Sequence, residues 1–201
     1  MIQGMIMGDR TIREIEDDMD YHMEQGNEGA VSELTEEIEN MRDRLTKAIS
    51  EGNLTDVLYF ESLGFDLSEP FFLNIAAKYD KPEIIKYLFE RGSDIQAEGN
   101  EALCTATRCD NLKAVQCLIS LGADLHARND FPVRNAINTN NVRLVEYFVS
   151  IGADINLALQ APKECPQVRE WAEPYKKAKE LKEKLDIGLN ADEAKTKRSK
   201  I

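Results

Sequence analysis

Few side chains in this sequence have types and spacings that suit catalysis. Cys104 and Cys109 lie in one apolar-patterned segment, and His126 follows further along the chain. A thiol and an imidazole brought together make a nucleophile–base pair. Such a pair also needs a group to orient the base and donors for a developing oxyanion, and the sequence suggests neither. The four cysteines, 104, 109, 117 and 165, show no CxxC spacing. The two histidines, His22 and His126, have no second ligand beside them, so no metal centre is expected. Phosphate-binding glycine loops, HExxH and GxSxG are absent from the sequence. Glu36, Glu37 and Glu39 stand in series, but a cation site needs oxygens converging from a folded loop. They read as a solvated helix face. The expectation is a protein that is not an enzyme and needs no cofactor.

The elements that would carry these residues follow from composition and pattern. The chain has 201 residues, 42% hydrophobic and 31% charged, with a net charge of −12. Its charged fraction exceeds the roughly 25% of an average globular domain. Residues 1–44 hold 13 acids and 4 bases, so most of the net charge sits there. That balance argues against wrapping nucleic acid, which needs clustered Lys and Arg. It suits a partner protein with a basic surface. No apolar run approaches the ~18–20 residues of a membrane-spanning helix, and Met1 to Met7 lack the basic start of a secretory signal. The cysteines are too few and too scattered for a disulfide scaffold. A reduced, cytoplasmic protein with no membrane partner is expected.

The middle of the chain repeats. Gly92, Gly122 and Gly152 lie 30 residues apart, as do Ala76, Ala106 and Ala136. Each Gly is preceded by an apolar helical pattern in which Ile85, Val115 and Val145 align, as do Leu88, Leu118 and Phe148. An earlier copy runs through Ala48, Val57, Phe60 and Gly64, shorter by two residues. One copy reads as a helical hairpin: a short first helix around Ala, a polar turn, a second helix, then Gly as the left-handed stop. Pro82 suits the first position of a second helix. Ala is demanded where a neighbouring hairpin packs close. One hairpin cannot bury both faces, so at least about three must stack. Four are expected.

The closing phrases Gly152-Ala153-Asp154-Ile155-Asn156 and Gly122-Ala123-Asp124-Leu125-His126 resemble the G-A-D-I-N close of the ankyrin repeat. The openings Asn100-Glu101-Ala102-Leu103-Cys104-Thr105-Ala106 and Asn129-Asp130-Phe131-Pro132-Val133-Arg134-Asn135-Ala136 follow an N-D-x-A-L-R-x-A form. The unit is 30 residues rather than about 33. This resembles the short ankyrin variant of large DNA viruses and some bacteria, and covers about residues 44–160. The resemblance implies an all-α, ankyrin-like solenoid of about four helical-hairpin repeats.

The ends read as caps. Residues 9–24 and 30–49 form two amphipathic helices, with stripes Ile12/Ile15/Met19/His22/Met23 and Val31/Leu34/Ile38/Met41/Leu45/Ala48. They either cap the first repeat or pair with a second chain, which would make a homo-oligomer through the N-terminal helices. After Asn156 the repeat pattern stops. Helical segments follow, with Trp171 as a core anchor and Tyr175/Ala178/Leu181/Leu185 as an apolar face. Gly188 is the expected helix stop. The division is therefore 1–44 acidic helical pair, 45–160 repeats, 161–188 capping helices and 189–201 disordered basic tail.

What remains for function is surface. In ankyrin-like stacks a partner lies along the first helices and the fingers between repeats. That implies a partner-binding set of Lys78, Tyr79, Arg108, Arg128, Asp130, Phe131, Asn138 and Thr139, with Glu98 and Asn100 beside it. Phe131 is equally consistent with burial between repeats. Exposed aromatic and Arg side chains are the usual anchors of interfaces. A second acidic set, Glu33, Glu36, Glu37 and Glu39, would serve a different function. In that reading the N-terminal helices mimic nucleic-acid charge, and the protein is a viral-type inhibitor of a host enzyme. A third reading is an oligomeric structural component.

Overall fold

The computed structural model describes residues 10–198, and side chains as far as residue 184 with the exception of 183. All regular structure among the described residues is α-helical. Residues up to Asp124 form one compact unit and those from Leu125 a second. The division falls between the third and fourth hairpins, within the stretch that the sequence pattern groups together.

The first unit begins with α1 (Ile12–Glu24) and α2 (Glu28–Glu51), a helical pair. Thr11 starts α1 with a capping box: its hydroxyl accepts from Glu14 N at 3.3 Å, and the Glu14 carboxylate accepts from Thr11 N at 2.8 Å. The backbone N–H of Ile12 donates to Leu63 O at 2.7 Å, which seats the start of α1 on the end of the first repeat. Ile15, Met41, Leu45 and Ala48 of the two stripes are buried, while Ile12, Met19, Leu34 and Ile38 are half-buried and Met23 is exposed. The pair thus caps the first repeat over its C-terminal part and leaves its tip open.

The last turns of α2 serve as the first helix of the first hairpin, with α3 (Leu54–Ser62) as its second. Two more hairpins follow: α4 (Pro70–Lys78) with α5 (Pro82–Glu90), and α6 (Ala97–Arg108) with α7 (Leu112–Ser120). Each successive first helix packs on the one before: α4 on α2, and α6 on α4. Ala76 and Ala106 have no exposed surface and Ala48 has almost none. The carbonyls of Ala48, Ala76 and Ala106 each accept the N–H of the residue five places on, at 2.9–3.0 Å. That bond closes a left-handed helix stop.

The residue that turns left-handed is Gly52 in the first hairpin, but Asp80 (φ 54°) and Asp110 (φ 58°) in the next two. Asp and Asn tolerate this region best among residues with a Cβ. Asp80 gains a second role: its Oδ1 accepts Ala114 N at 2.8 Å and so caps α7 from the previous hairpin. Asn111, at the N-cap position of α7, makes no side-chain cap to its own helix. Its Nδ2 donates to the carbonyls of Ala77 and Lys78 at 2.9 and 2.7 Å, at the end of α4. Neighbouring hairpins therefore exchange caps.

The finger before α6 is short. Glu98, Gly99 and Asn100 take three successive left-handed conformations, with φ of 51°, 64° and 62°. Asn100 is buried, and its Oδ1 accepts Asp124 N at 2.8 Å across to the next finger.

The second unit contains α8 (Ala127–Asn138), α9 (Val142–Ser150), α10 (Ile155–Leu159) and α11 (Pro166–Arg198). Arg128, Asn129 and Asp130 repeat the left-handed triplet. Helix α10 packs on α8 and on α11, and α11 packs on α9. These are the first-to-first and second-to-second contacts of a hairpin, so the repeat pattern continues beyond Asn156 in a shortened fifth unit. The cap exchange confirms the register. Asn140 Oδ1 accepts Val168 N at 3.1 Å, and Cys165 Sγ donates to Asn138 O at 3.6 Å, where Asn111 meets Lys78.

Two expectations for the C-terminal end fail. Helix α11 continues through Gly188 to Arg198, because a single Gly costs a helix only about 1 kcal/mol. The segment 189–198, expected to be disordered, is thus helical, while 199–201 lie outside the described residues. Along the expected apolar face Tyr175 is half-buried, Ala178 is exposed and Leu181 is 61% exposed, while the Leu185 side chain lies outside the described residues. Trp171 is half-buried and packs against Tyr175 with ring centroids 4.9 Å apart.

Candidate protein-binding surface

In the first unit the first helices present one face outward at a spacing of about one turn. On α4 that face carries Phe71, Ile75, Lys78 and Tyr79, and on α6 Glu101, Thr105 and Arg108. Tyr79 is 48% exposed and Phe71 45%, large values for aromatic side chains. They stay outward because Phe72, Leu73, Ala76 and Ala77 take the inward side of α4. The Lys78 ammonium lies 5.5 Å from the centre of the Tyr79 ring. Arg108 is held along its own helix, pairing with the Glu101 carboxylate and lying 3.0 Å from Thr105 Oγ1.

One participant escaped the sequence reading. Arg42 of α2 pairs with Glu69, the residue before α4, and its guanidinium sits 5.4 Å from the Phe71 ring and 5.1 Å from the Phe72 ring. Arg42 lies beside the apolar stripe of α2, and its register against α4 became visible only with the fold.

Of the eight candidate residues, Lys78, Tyr79 and Arg108 belong to the first unit and the other five to the second. Arg128 is exposed on the left-handed triplet. Asp130 is half-buried and 2.6 Å from His126 Nδ1. Phe131 is half-buried, between its two expected states. Asn138 and Thr139 are exposed, although the Thr139 hydroxyl is engaged with Asn135 O at 2.9 Å. Asn100 is removed from the candidates, since its burial and its bond to Asp124 give it a structural role.

On the acidic helices Glu33, Glu36 and Glu39 are exposed. Glu37 is half-buried, 3.8 Å from Arg10, which also pairs with Asp18. Hydrogen bonds from the Thr11 backbone and then its hydroxyl hold the Glu14 carboxyl below its ordinary range.

Cys104, Cys117 and Cys165 are buried and Cys109 is exposed. Burial pushes the Cys117 thiol up. Among the described residues no three His, Cys, Asp or Glu side chains are placed to hold a metal ion. No described helix is long and apolar enough to cross a membrane.

The family model for ankyrin repeats (3 copies) matches residues 45–129 and, overlapping, 73–159. Together these matches span more than half of the chain. Comparison with curated proteins gives no match. Ankyrin repeats are typically non-enzymatic domains that mediate protein–protein interaction. The hairpin geometry, the buried Ala series and the matched span agree, and the chain belongs to the ankyrin-repeat family.

Proposed function

We propose that the chain binds a partner protein through the outward face of its first helices. The observation that carries this reading is the exposed pair Phe71 and Tyr79, flanked by Lys78 and Arg42 on α4 and α2. Aromatic and Arg side chains supply most hot-spot energy in interfaces. Here they stand on rigid helices with a fixed core beneath them. The second unit carries its own set at the corresponding repeat positions, Arg128, Asp130, Phe131, Asn138 and Thr139. The acidic N-terminal helices favour a partner with a basic surface and speed its approach at low salt.

A second reading rests on Glu33, Glu36 and Glu39, three exposed carboxylates spaced for one helix face. In it the acidic helices themselves occupy a basic site on another protein, as an inhibitor that resembles nucleic acid in charge. Partner capture with cross-linking separates the two. The wild type is compared with a Lys78→Ala/Tyr79→Ala/Arg128→Ala variant and with a Glu33→Gln/Glu36→Gln/Glu39→Gln variant. Loss of the captured protein in the first variant alone supports the first-helix face. Loss in the second alone overturns it in favour of the acidic helices.

A further inference from the structure

The tip of the α1–α2 pair holds a cleft of about 250 Å³ lined by Met23, Gly26, Asn27, Glu28 and Val31. Met23 is 55% exposed, and Tyr21 beside it is exposed as well. Glu28 lines the cleft, and the two helices that form it are acidic along their length. From Glu14 to Glu39 there are eleven carboxylates and no Lys or Arg. Asp20 stands one turn before Met23, and Glu28 one turn before Val31, both exposed. An apolar cleft in such surroundings fits an apolar side chain carried between cations.

The chain supplies that complement at its other end. Leu181 on α11 is largely exposed, and Lys177 and Lys184, one turn before and after it, are exposed on the same side. Residues 175–184 carry five lysines against two glutamates. The cleft and Leu181 are each left exposed by the described residues of their own unit. We infer that α11 of one copy docks on the α1–α2 tip of a second copy, with Leu181 in the Met23/Val31 cleft and Lys177 and Lys184 against Asp20 and Glu28. The contact is heterologous: each copy offers one socket and one plug. It is small and charge-steered, so it belongs to the weak, salt-sensitive class of interfaces. It uses none of the first-helix residues proposed above for a partner protein.

The 201-residue chain is tested by sedimentation equilibrium. At about 0.05 M salt the average mass should rise with concentration over about 10 μM to 1 mM, and the rise should vanish near 0.5 M. Met23→Lys closes the socket and Leu181→Asp spoils the plug, both at exposed positions. Each variant alone should stay monomeric. Mixed one to one, they should form a dimer and nothing larger, because one intact socket meets one intact plug. Circular dichroism checks that helicity is kept. If Met23→Lys loses helicity, Asp20→Lys/Glu24→Lys replaces it. The proposal is overturned if the wild type is monomeric up to about 1 mM at low salt. It is equally overturned if either variant still associates, or if the mixture stays monomeric while the wild type assembles.

Discussion

Asp80 gives the sharpest test of how the hairpins are joined. Its backbone is left-handed, and its carboxylate caps α7 through Ala114 N at 2.8 Å. These two facts have opposite consequences for different substitutions. Losing an Asp cap costs about 0.5–2 kcal/mol, and more is expected towards the upper end because α7 has no cap of its own. Placing an ordinary Cβ residue in the left-handed region costs roughly 1–2 kcal/mol, while Gly is free of that cost. Asp80→Ala suffers both and should lose about 2–3 kcal/mol. Asp80→Gly loses the cap but relaxes the backbone, so the terms nearly cancel and the change should stay within about 1 kcal/mol. Asp80→Asn keeps both features and should lie within about 0.5 kcal/mol of wild type, as Asn140 natively does the same for Val168. Urea denaturation followed by circular dichroism measures the series. The expected order is Asn, then Gly, then Ala. An Asn variant as unstable as the Ala one would refute the capping argument. Equal stability for Gly and Ala would refute the backbone one.

Ala106→Leu should destabilise by roughly 1–3 kcal/mol, because Ala106 is fully buried where α6 faces α4; a thermal melt at the wild-type midpoint would contradict this packing. Glu14, held below its ordinary range by Thr11, contributes stability that is present above that range and lost as pH falls through its lowered value. An acid titration followed at the Thr11 amide by NMR should show this transition, and Glu14→Gln should remove it. Cys109 should react with a thiol reagent much faster than Cys104, Cys117 or Cys165 in native protein; four equal rates would mean that the hairpins open readily.

The repeat was legible because it rests on residues that tolerate few substitutes. Ala76, Ala106 and Ala136 sit where a larger side chain would push hairpins apart, and each has no exposed surface. Gly92, Gly122 and Gly152 have φ between 97° and 118°, as their place after the second helices demands. The other left-handed turn was hidden by chemistry rather than by weak pattern. Gly52-Asn53 aligns with Asp80-Lys81, Asp110-Asn111 and Asn140-Asn141, which read only as polar turns, and only the first carries a glycine. The fifth hairpin was hidden by its spacing. Cys165-Pro166 matches Lys81-Pro82, yet α10 is only five residues long, so no 30-residue period reaches it. Burial at the ends was hardest to read. Ile15 and Leu181 both belong to apolar stripes at helical spacing, and only the neighbours of each decide that one is buried and the other exposed.

The cap exchange also narrows where recognition can reside. A repeat turn carries many polar residues, and sequence alone cannot divide those that join hairpins from those that face a partner. Asp80 and Asn111 are committed to each other's helices, Asn140 to Val168, and Asn100 to Asp124. Changing them alters stability first. Tyr79 stands directly before Asp80 in the same turn, yet its ring is outward and nearly half exposed. It is also placed on the helix that the exchange immobilises. In the contact proposed above only the side chain's own rotamers would have to be ordered, because the backbone beneath it is already fixed by the stack, which lowers the entropic cost. The turn therefore does two separable things with adjacent residues. One fixes the stack, and the other projects outward from the backbone that the stack fixes.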